Sequence, residues 1–234
     1  MKKVVYSLGC SWMVPNWNMA AANGSPPETH LIELMKADGI EVIQHASNGS
    51  SNSSTIRRAL ECKTQPTHII WCQTDPYRDR QTEHGQPYGE GNAHWYLRSA
   101  YQDFSKLVRC WPNAKIAVIG GLTPLHVSMY RFFGTRISYI KIDWMKEILD
   151  RDIHVQTIIS KNVNTVSIPT DGYGYSMSID KNDVLQWMTL QDLDNAQRRM
   201  TAMAMSKLFP DNGHPGDVAH SLLYADLKAS GFLT

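Results

Sequence analysis

The chain has 234 residues with a hydrophobic fraction of 42%, which is enough to bury a substantial core in one large α/β domain. The formal net charge is +1, so no strong electrostatic field favours nucleic acid or an anionic membrane surface as a partner. No run of about 18 apolar residues is present, which argues against a transmembrane helix.

Predicted strands and helices alternate through the first half of the chain. Four apolar runs have the length of buried strands, and the segments between them carry apolar residues at helical spacing. The predicted strands are 3–8, 40–46, 68–72 and 115–119. The predicted helices are 29–37, 55–63 and 94–110. Such alternation predicts a mainly parallel sheet with helices on both faces, within a single domain that spans residues 1–234.

The second half of the chain has weaker patterns. Residues 138–150 are predicted to form a helix because Ile140, Trp144 and Ile148 recur at helical spacing. The remaining predictions are β-like segments at 153–160 and 163–168, a turn at 171–174, a long helix at 182–208 and a final helix at 217–229.

Polar, turn-forming residues follow each of the four predicted strands. These groups are Gly9-Cys10-Ser11, Ser47-Asn48-Gly49, Gln73-Thr74-Asp75 and Gly120-Gly121. Right-handed crossovers place the carboxyl ends of parallel strands along one edge of the sheet, where ligands bind in open α/β sheets. The sequence therefore predicts a binding site at this edge.

Two short motifs at opposite ends of the chain supply the parts of an activated serine. Ser11 lies on a predicted strand-to-helix turn, and Asp211 and His214 lie just before the final predicted helix. A serine hydroxyl becomes a good nucleophile when a histidine takes its proton and a carboxylate orients that histidine. The backbone N–H groups of Ser11 and Gly49 are candidate donors to the oxyanion that forms during acyl transfer.

Each motif has a simpler interpretation when it is taken alone, as a helix cap or an ordinary loop. Cys10 is a second candidate nucleophile because thiolates attack readily. Neighbouring residues at a strand end point in opposite directions, however, which favours Ser11. The four cysteines have no C-x-x-C spacing and no zinc-ligand spacing with histidine, so no metal site is predicted.

With these motifs the chain resembles the SGNH hydrolase superfamily, also called the GDSL-type esterases and lipases. The family's Gly-Asp-Ser block is similar to Gly9-Cys10-Ser11, and its oxyanion glycine is matched by Gly49. Its last block, Asp-x-x-His-Pro, is matched in full from Asp211 to Pro215. The resemblance implies a three-layer α/β/α sandwich of flavodoxin-like type, a triad of Ser11, His214 and Asp211, and no metal or organic cofactor. The first block with cysteine is similar to a subgroup from bacteriophages and environmental bacteria.

The family's third block, usually Gly-x-Asn-Asp, differs in this chain. The corresponding residues are Cys72-Gln73-Thr74-Asp75. Thr74 occupies the position of the asparagine that donates to the oxyanion, and its hydroxyl can donate one hydrogen bond with a shorter reach. Gln73 is the alternative donor, because strand alternation lets only one of the two face the site. Arg78, in a polar loop at 75–92, is a candidate substrate contact or, alternatively, a solvated surface residue.

The expected function is hydrolysis of a carboxylic ester, with an acyl or acetyl group carried by a carbohydrate or another small alcohol. The alternative, motivated by the altered third block, is a glycan-binding structural component of a phage particle with little or no catalysis. Expected partners are the small-molecule or glycan ester and either a second copy of the chain or virion proteins, with no nucleic acid and no membrane. The apolar run after Met1 is too short for a signal peptide, which favours cytosolic synthesis, with virion association as a later fate.

Overall fold

The computed structural model describes residues 2–15, 29–74, 93–120, 139–143, 165–170, 175–180 and 214–234. Five of its strands form one sheet. They are β1 (Val4–Leu8), β2 (Glu41–Gln44), β3 (His68–Gln73), β4 (Lys115–Gly120) and β5 (Tyr139–Asp143). Their order across the sheet is β2-β1-β3-β4-β5, and every neighbouring pair is parallel. The parallel sheet that the alternating pattern predicts is therefore confirmed.

Four helices and one short 3₁₀ turn accompany this sheet in the described residues. They are the 3₁₀ turn Ser11–Met13, α1 (Leu31–Ala37), α2 (Asn52–Leu60), α3 (Ala93–Cys110) and α4 (Asp217–Ala229). Helix α2 begins three residues earlier than predicted, because Ser51 caps it. The Ser51 Oγ accepts a hydrogen bond from the Ser54 N–H at 3.3 Å, as serine commonly does at this position.

Both faces of the three central strands are buried. Side chains of β1, β3 and β4 alternate between the faces, and one set packs with α2 and α3. That set contains Tyr6, Leu8, Ile69, Trp71, Ile116 and Val118. The other set is also fully buried and contains Val5, Ser7, Ile70, Cys72, Ala117 and Ile119. Strands covered on both faces are typical of parallel sheets, and they establish the α/β class.

The prediction of a helix over 138–150 is wrong for the residues that the structure describes. Residues Tyr139–Asp143 form strand β5, which pairs in parallel with β4 and places Ile142 beside Ile119. Ile140 and Ile142 alternate with polar or aromatic neighbours, so a short apolar run here fits a strand as well as a helix. Pairing with the free edge of β4 decides between the two, and local sequence does not contain that information.

A second, two-stranded sheet is formed by β6 (Thr165–Thr170) and β7 (Tyr175–Asp180), which pair in antiparallel fashion. Strand β6 overlaps the β-like segment predicted at 163–168 and is shifted by two residues toward the C-terminus, and β7 was not predicted. The predicted turn at 171–174, the β-like segment at 153–160 and the helix at 182–208 lie outside the described residues. No helix in the described ranges combines the length and the apolar character needed to cross a lipid bilayer.

Candidate functional site

The order of the strands places the ends of β1 and β3 side by side. The chain passes from β1 to β2 on one side of the sheet and then returns to β3 on the other side of β1. In open α/β sheets the crevice at such a reversal, beyond the carboxyl ends of the strands, is the usual place for a ligand. Leu8 pairs with Trp71, so Ser11 and Thr74 each lie three residues past a matched pair, at the same edge.

Ser11 lies on a tight turn that is packed directly against β3. Gly9 has a φ of +146°, and a Cβ at this position would lie 2.9 Å from the backbone oxygen of Cys72. Ser11 then begins the 3₁₀ turn, in which the Met13 N–H donates to the Cys10 carbonyl oxygen at 2.9 Å. Met13 is fully buried and anchors the turn, whereas Ser11 remains half-buried. The turn is thus anchored in the core by Met13, while Ser11 stays partly exposed.

His214 meets Ser11 across 203 residues of sequence. The Nε2 atom of His214 lies 2.8 Å from the Ser11 Oγ. The histidine directly precedes Pro215 and Gly216, the latter being the N-cap of α4. Helix α4 packs on α1, and Asp217 Oδ1 accepts a hydrogen bond from the Thr29 N–H at 2.8 Å. A distance of 2.8 Å is within the range that direct proton transfer between a hydroxyl and a histidine requires.

Two further histidines, both buried, adjoin the segments that carry this pair and were not assigned a role from the sequence. His30 Nδ1 accepts from the Ile32 N–H at 3.1 Å, so its Nε2 carries the proton and donates to the Trp12 carbonyl oxygen at 3.3 Å. The rings of His30 and His220 are 4.0 Å apart between centroids. Burial lowers the pKa of His30 to about 4. Burial, and then the neighbouring His30, lower the pKa of His220 well below its usual value.

Asn52 holds the end of β3 through both functions of its side-chain amide. Its Oδ1 accepts from the Thr74 N–H at 3.0 Å and from the Trp71 Nε1–H at 3.3 Å. Its Nδ2 donates to the Thr74 carbonyl oxygen at 3.1 Å. Asn52 is only 3% exposed, so these bonds are shielded from water. In the sequence Asn52 lies in a run of serine and asparagine residues of the kind that caps helices, so this role was not predicted.

Thr55 and Arg58 of α2 hold the ends of β1 and β2 in the same way. The Thr55 Oγ1 accepts from the Gly9 N–H and donates to the His45 carbonyl oxygen, each at 3.2 Å. Arg58 donates to the same carbonyl from Nε at 2.9 Å and from Nη2 at 2.6 Å, and Nη2 also reaches the Ser50 Oγ at 2.7 Å. Positions 52, 55 and 58 are three residues apart, so this polar stripe on one helix face was a signal available in the sequence.

The other predicted site residues are placed as follows. Gly49 lies in an exposed turn before α2 with a φ of +67°. Gln73 and Thr74 are both buried, at 5% and 1% exposure. Cys10 is buried as well, and burial followed by the nearby Cys10 raises the pKa of Cys72. Asp211 and Arg78 lie outside the described residues.

The described residues therefore include a serine hydroxyl in hydrogen-bond contact with a histidine, at the carboxyl edge of a parallel sheet. Within the described ranges, no cluster of three or more histidine, cysteine, aspartate or glutamate side chains could hold a metal ion. No protein-family model matches the chain, and a comparison with curated proteins finds no match.

Proposed function

We propose that the protein is a serine hydrolase that cleaves a carboxylic ester, with Ser11 as its nucleophile. The observation that carries this proposal is the 2.8 Å contact between the Ser11 Oγ and the His214 Nε2. His214 accepts the hydroxyl proton while the Ser11 oxygen attacks the carbonyl carbon of the ester. His214 then gives that proton to the departing alcohol, which leaves an acyl group on Ser11. A water molecule, deprotonated by His214, releases the acid and restores the serine.

The remaining catalytic roles follow from the sequence motifs. Asp211, three residues before His214, orients the imidazole and stabilises its charged form. The Ser11 and Gly49 N–H groups and the Thr74 hydroxyl donate to the oxyanion. Gln73 is the weaker candidate, because its position in β3 has the same parity as Trp71 and so projects toward the face that packs with α2 and α3.

A three-layer sandwich of flavodoxin-like type, as in the SGNH hydrolases, is the fold that we propose for the whole chain. The strand order 2-1-3-4-5 and the burial of both sheet faces support it. The proposed substrate is an acyl or acetyl ester of a carbohydrate or another small alcohol. Contact of Arg78 with substrate, and association with a virion, stay predictions from the sequence.

Hydrolysis of short p-nitrophenyl esters tests the proposal. The wild-type protein should release p-nitrophenol, and Ser11→Ala should abolish the release because no other described group is placed to attack. A fluorophosphonate probe should label the wild-type protein, and mass spectrometry should locate the label on Ser11. Equal turnover by the wild-type protein and Ser11→Ala would refute the assignment.

Cys10→Ala is the matched control for the neighbouring thiol. Cys10 is 4% exposed, whereas Ser11 is half-buried and bonded to His214, so this variant should retain hydrolysis. Loss of turnover in folded Cys10→Ala, with retention in Ser11→Ala, would make the thiol the nucleophile. Absence of fluorophosphonate labelling together with binding of a glycan would instead support the non-catalytic alternative.

A further inference from the structure

The Thr74 side chain presents a feature that packing alone does not explain. Thr74 has 1% of its surface exposed, and its Oγ1 has no hydrogen-bond partner among the residues that the structure describes. A buried hydroxyl without a partner is unfavourable, and native proteins contain few of them. A donor that is kept unpaired at the edge of a candidate active site is available to a charge that forms only during the reaction.

The backbone of Thr74, by contrast, is held firmly. Both its N–H and its carbonyl oxygen are bonded to the single amide of Asn52, at 3.0 Å and 3.1 Å. The same Asn52 Oδ1 accepts from the Trp71 indole, which ties the amide to the core of β3. With two bonds to one residue, Asn52 fixes the direction in which the Thr74 side chain leaves the strand end.

The side chain of Asn52 is engaged with β3. Its Nδ2 is engaged by the Thr74 carbonyl oxygen and its Oδ1 by two N–H groups, all in a region shielded from water. Both acceptor positions of Oδ1 and one N–H of Nδ2 are thus engaged, so the amide is fixed in place and can position its neighbour. The role of Asn52 therefore differs from that of the third-block asparagine of the SGNH hydrolases, whose position Thr74 occupies in this chain.

We propose that Asn52 is a positioning residue, which fixes Thr74 so that the threonine hydroxyl serves as an oxyanion donor. This inference rests on the proposed hydrolase function. It adds an explanation of how the altered third block, with Thr74 in place of asparagine, still supplies a hydrogen-bond donor to the oxyanion. Helix α2 holds the neighbouring strand end by the same means, through the bond between Thr55 and the Gly9 N–H. One helix thereby sets the position of the nucleophile turn relative to the donor.

The Thr74 hydroxyl is tested by Thr74→Val and Thr74→Ser. Valine has nearly the shape of threonine but cannot donate, so kcat for a p-nitrophenyl ester should fall by about 100–1000-fold with little change in KM. Serine keeps the hydroxyl and should retain kcat within about tenfold. A kcat for Thr74→Val that stays within about threefold of wild type would overturn the inference.

The positioning role is tested by Asn52→Asp, which keeps the size and the Oδ1 acceptor but removes the donor to the Thr74 carbonyl. We expect kcat to fall by up to about 100-fold through misplacement of Thr74, while KM changes little. Asn52→Ser provides a second variant, without a buried charge, in case the aspartate variant does not fold. Asn113→Asp is the matched control, because Asn113 is exposed and lies before β4 at the opposite edge of the sheet; its kcat should equal that of wild type.

A double-mutant cycle distinguishes positioning from a general structural role. If Asn52 acts through Thr74, adding Asn52→Asp or Asn52→Ser to Thr74→Val should cause no further loss of kcat. Additive losses would overturn the inference. A wild-type protein that neither hydrolyses esters nor reacts with a fluorophosphonate would instead refute the hydrolase proposal. If the wild type is active and Thr74→Val leaves kcat unchanged, this inference alone is refuted.

Discussion

Gly9 controls how closely the turn that carries Ser11 can approach β3. A side chain at this position would meet the Cys72 backbone oxygen at 2.9 Å and the Cys72 Cβ at 3.2 Å. The backbone oxygen belongs to a buried strand and cannot move aside as a flexible side chain can. The φ of +146° is also one that residues with a Cβ rarely adopt. Glycine is thus required here for two separate reasons.

We predict that Gly9→Ala lowers the free energy of unfolding by roughly 1–3 kcal/mol and reduces kcat at the same time. The clash would push the turn away from β3 and change the distance between Ser11 and His214. Urea denaturation gives the stability, and ester hydrolysis by the folded fraction gives kcat.

Gly39→Ala is the matched control for the backbone strain. Gly39 also has a positive φ, +75°, but nothing lies within 4 Å of a Cβ placed there. This variant should lose only about 1 kcal/mol of stability and keep its activity, because Gly39 follows α1 and has no contact with the site. Equal losses of kcat in both variants would show that the close approach of Gly9 to β3 has no catalytic consequence.

At the scale of a whole element, α2 joins the core to the site edge. Its apolar side chains, Ile56 and Ala59, pack in the cluster beneath β1 and β3. Its polar side chains Asn52, Thr55 and Arg58 bond the ends of three neighbouring strands. Movement of this one helix would therefore displace several groups of the site together.

We predict that Thr55→Val lowers the free energy of unfolding by about 1–3 kcal/mol, because it leaves the buried Gly9 N–H without an acceptor. Valine preserves the shape and removes only the hydroxyl. Thr55→Ser is the control: it keeps the hydroxyl and loses one methyl group, so its loss should be about 1 kcal/mol or less. Urea denaturation with matching m values measures both, and a serine variant as unstable as the valine variant would contradict the prediction.

The elements with a strong local pattern could be predicted from the sequence. The runs predicted at 3–8, 68–72 and 115–119 consist mainly of apolar residues between turn residues, and they coincide closely with the central strands β1, β3 and β4. The contact between Ser11 and His214 spans 203 residues and is not encoded locally. The expectation that the two residues meet came from the resemblance of both motifs to the blocks of the SGNH hydrolases.

Features that depend on contacts distant in sequence could not be predicted. Residues 139–143 carry a pattern that suits a helix or a strand, and only the free edge of β4 selects the strand. Asn52 has the appearance of a helix-capping residue, because its bonds to Thr74 span 22 residues. The polar stripe at positions 52, 55 and 58 marks a helix face but does not indicate which strand ends that face contacts. The capping residue is instead Ser51, its neighbour.

At the scale of the whole molecule, the buried histidine pair links three separate parts of the chain. His30 caps α1 and donates to the Trp12 carbonyl oxygen beside Ser11. Its ring lies 4.0 Å from the ring of His220, at a tilt of 47°, and His220 belongs to α4, the helix that follows His214. Both rings are neutral in the folded protein near neutral pH, since burial lowers the pKa of each. Protonation of either ring would place a charge in the region where these three parts meet.

This arrangement predicts a loss of stability in mild acid. In the unfolded chain a histidine titrates near its ordinary value of about 6.5, whereas His30 in the folded protein titrates at about 4. Between these values the unfolded state binds more protons, so the stabilisation is complete above about pH 6.5 and declines as the pH falls toward 4. For His30 alone the decline should reach about 2 kcal/mol between pH 7.5 and pH 5. His220, His45 and His68, whose pKa values burial also lowers, add to it in the same direction.

His30→Asn isolates the contribution of this ring. Asparagine is a strong N-cap residue that can accept from the Ile32 N–H, and it does not titrate. Urea denaturation of wild type and variant, near pH 7.5 and near pH 5, should therefore show a smaller loss of stability in the variant, by about 2 kcal/mol. Contributions from titrating groups that do not contact His30 are common to both proteins and cancel in this comparison. The pKa of His220 is lowered in part by His30, so its contribution shrinks in the variant and changes the difference in the same direction. An identical pH dependence in the two proteins would mean that His30 is already charged in the folded state or remains accessible to water. The conclusion that a neutral His30 ring joins α1, the turn with Ser11 and α4 would then be wrong.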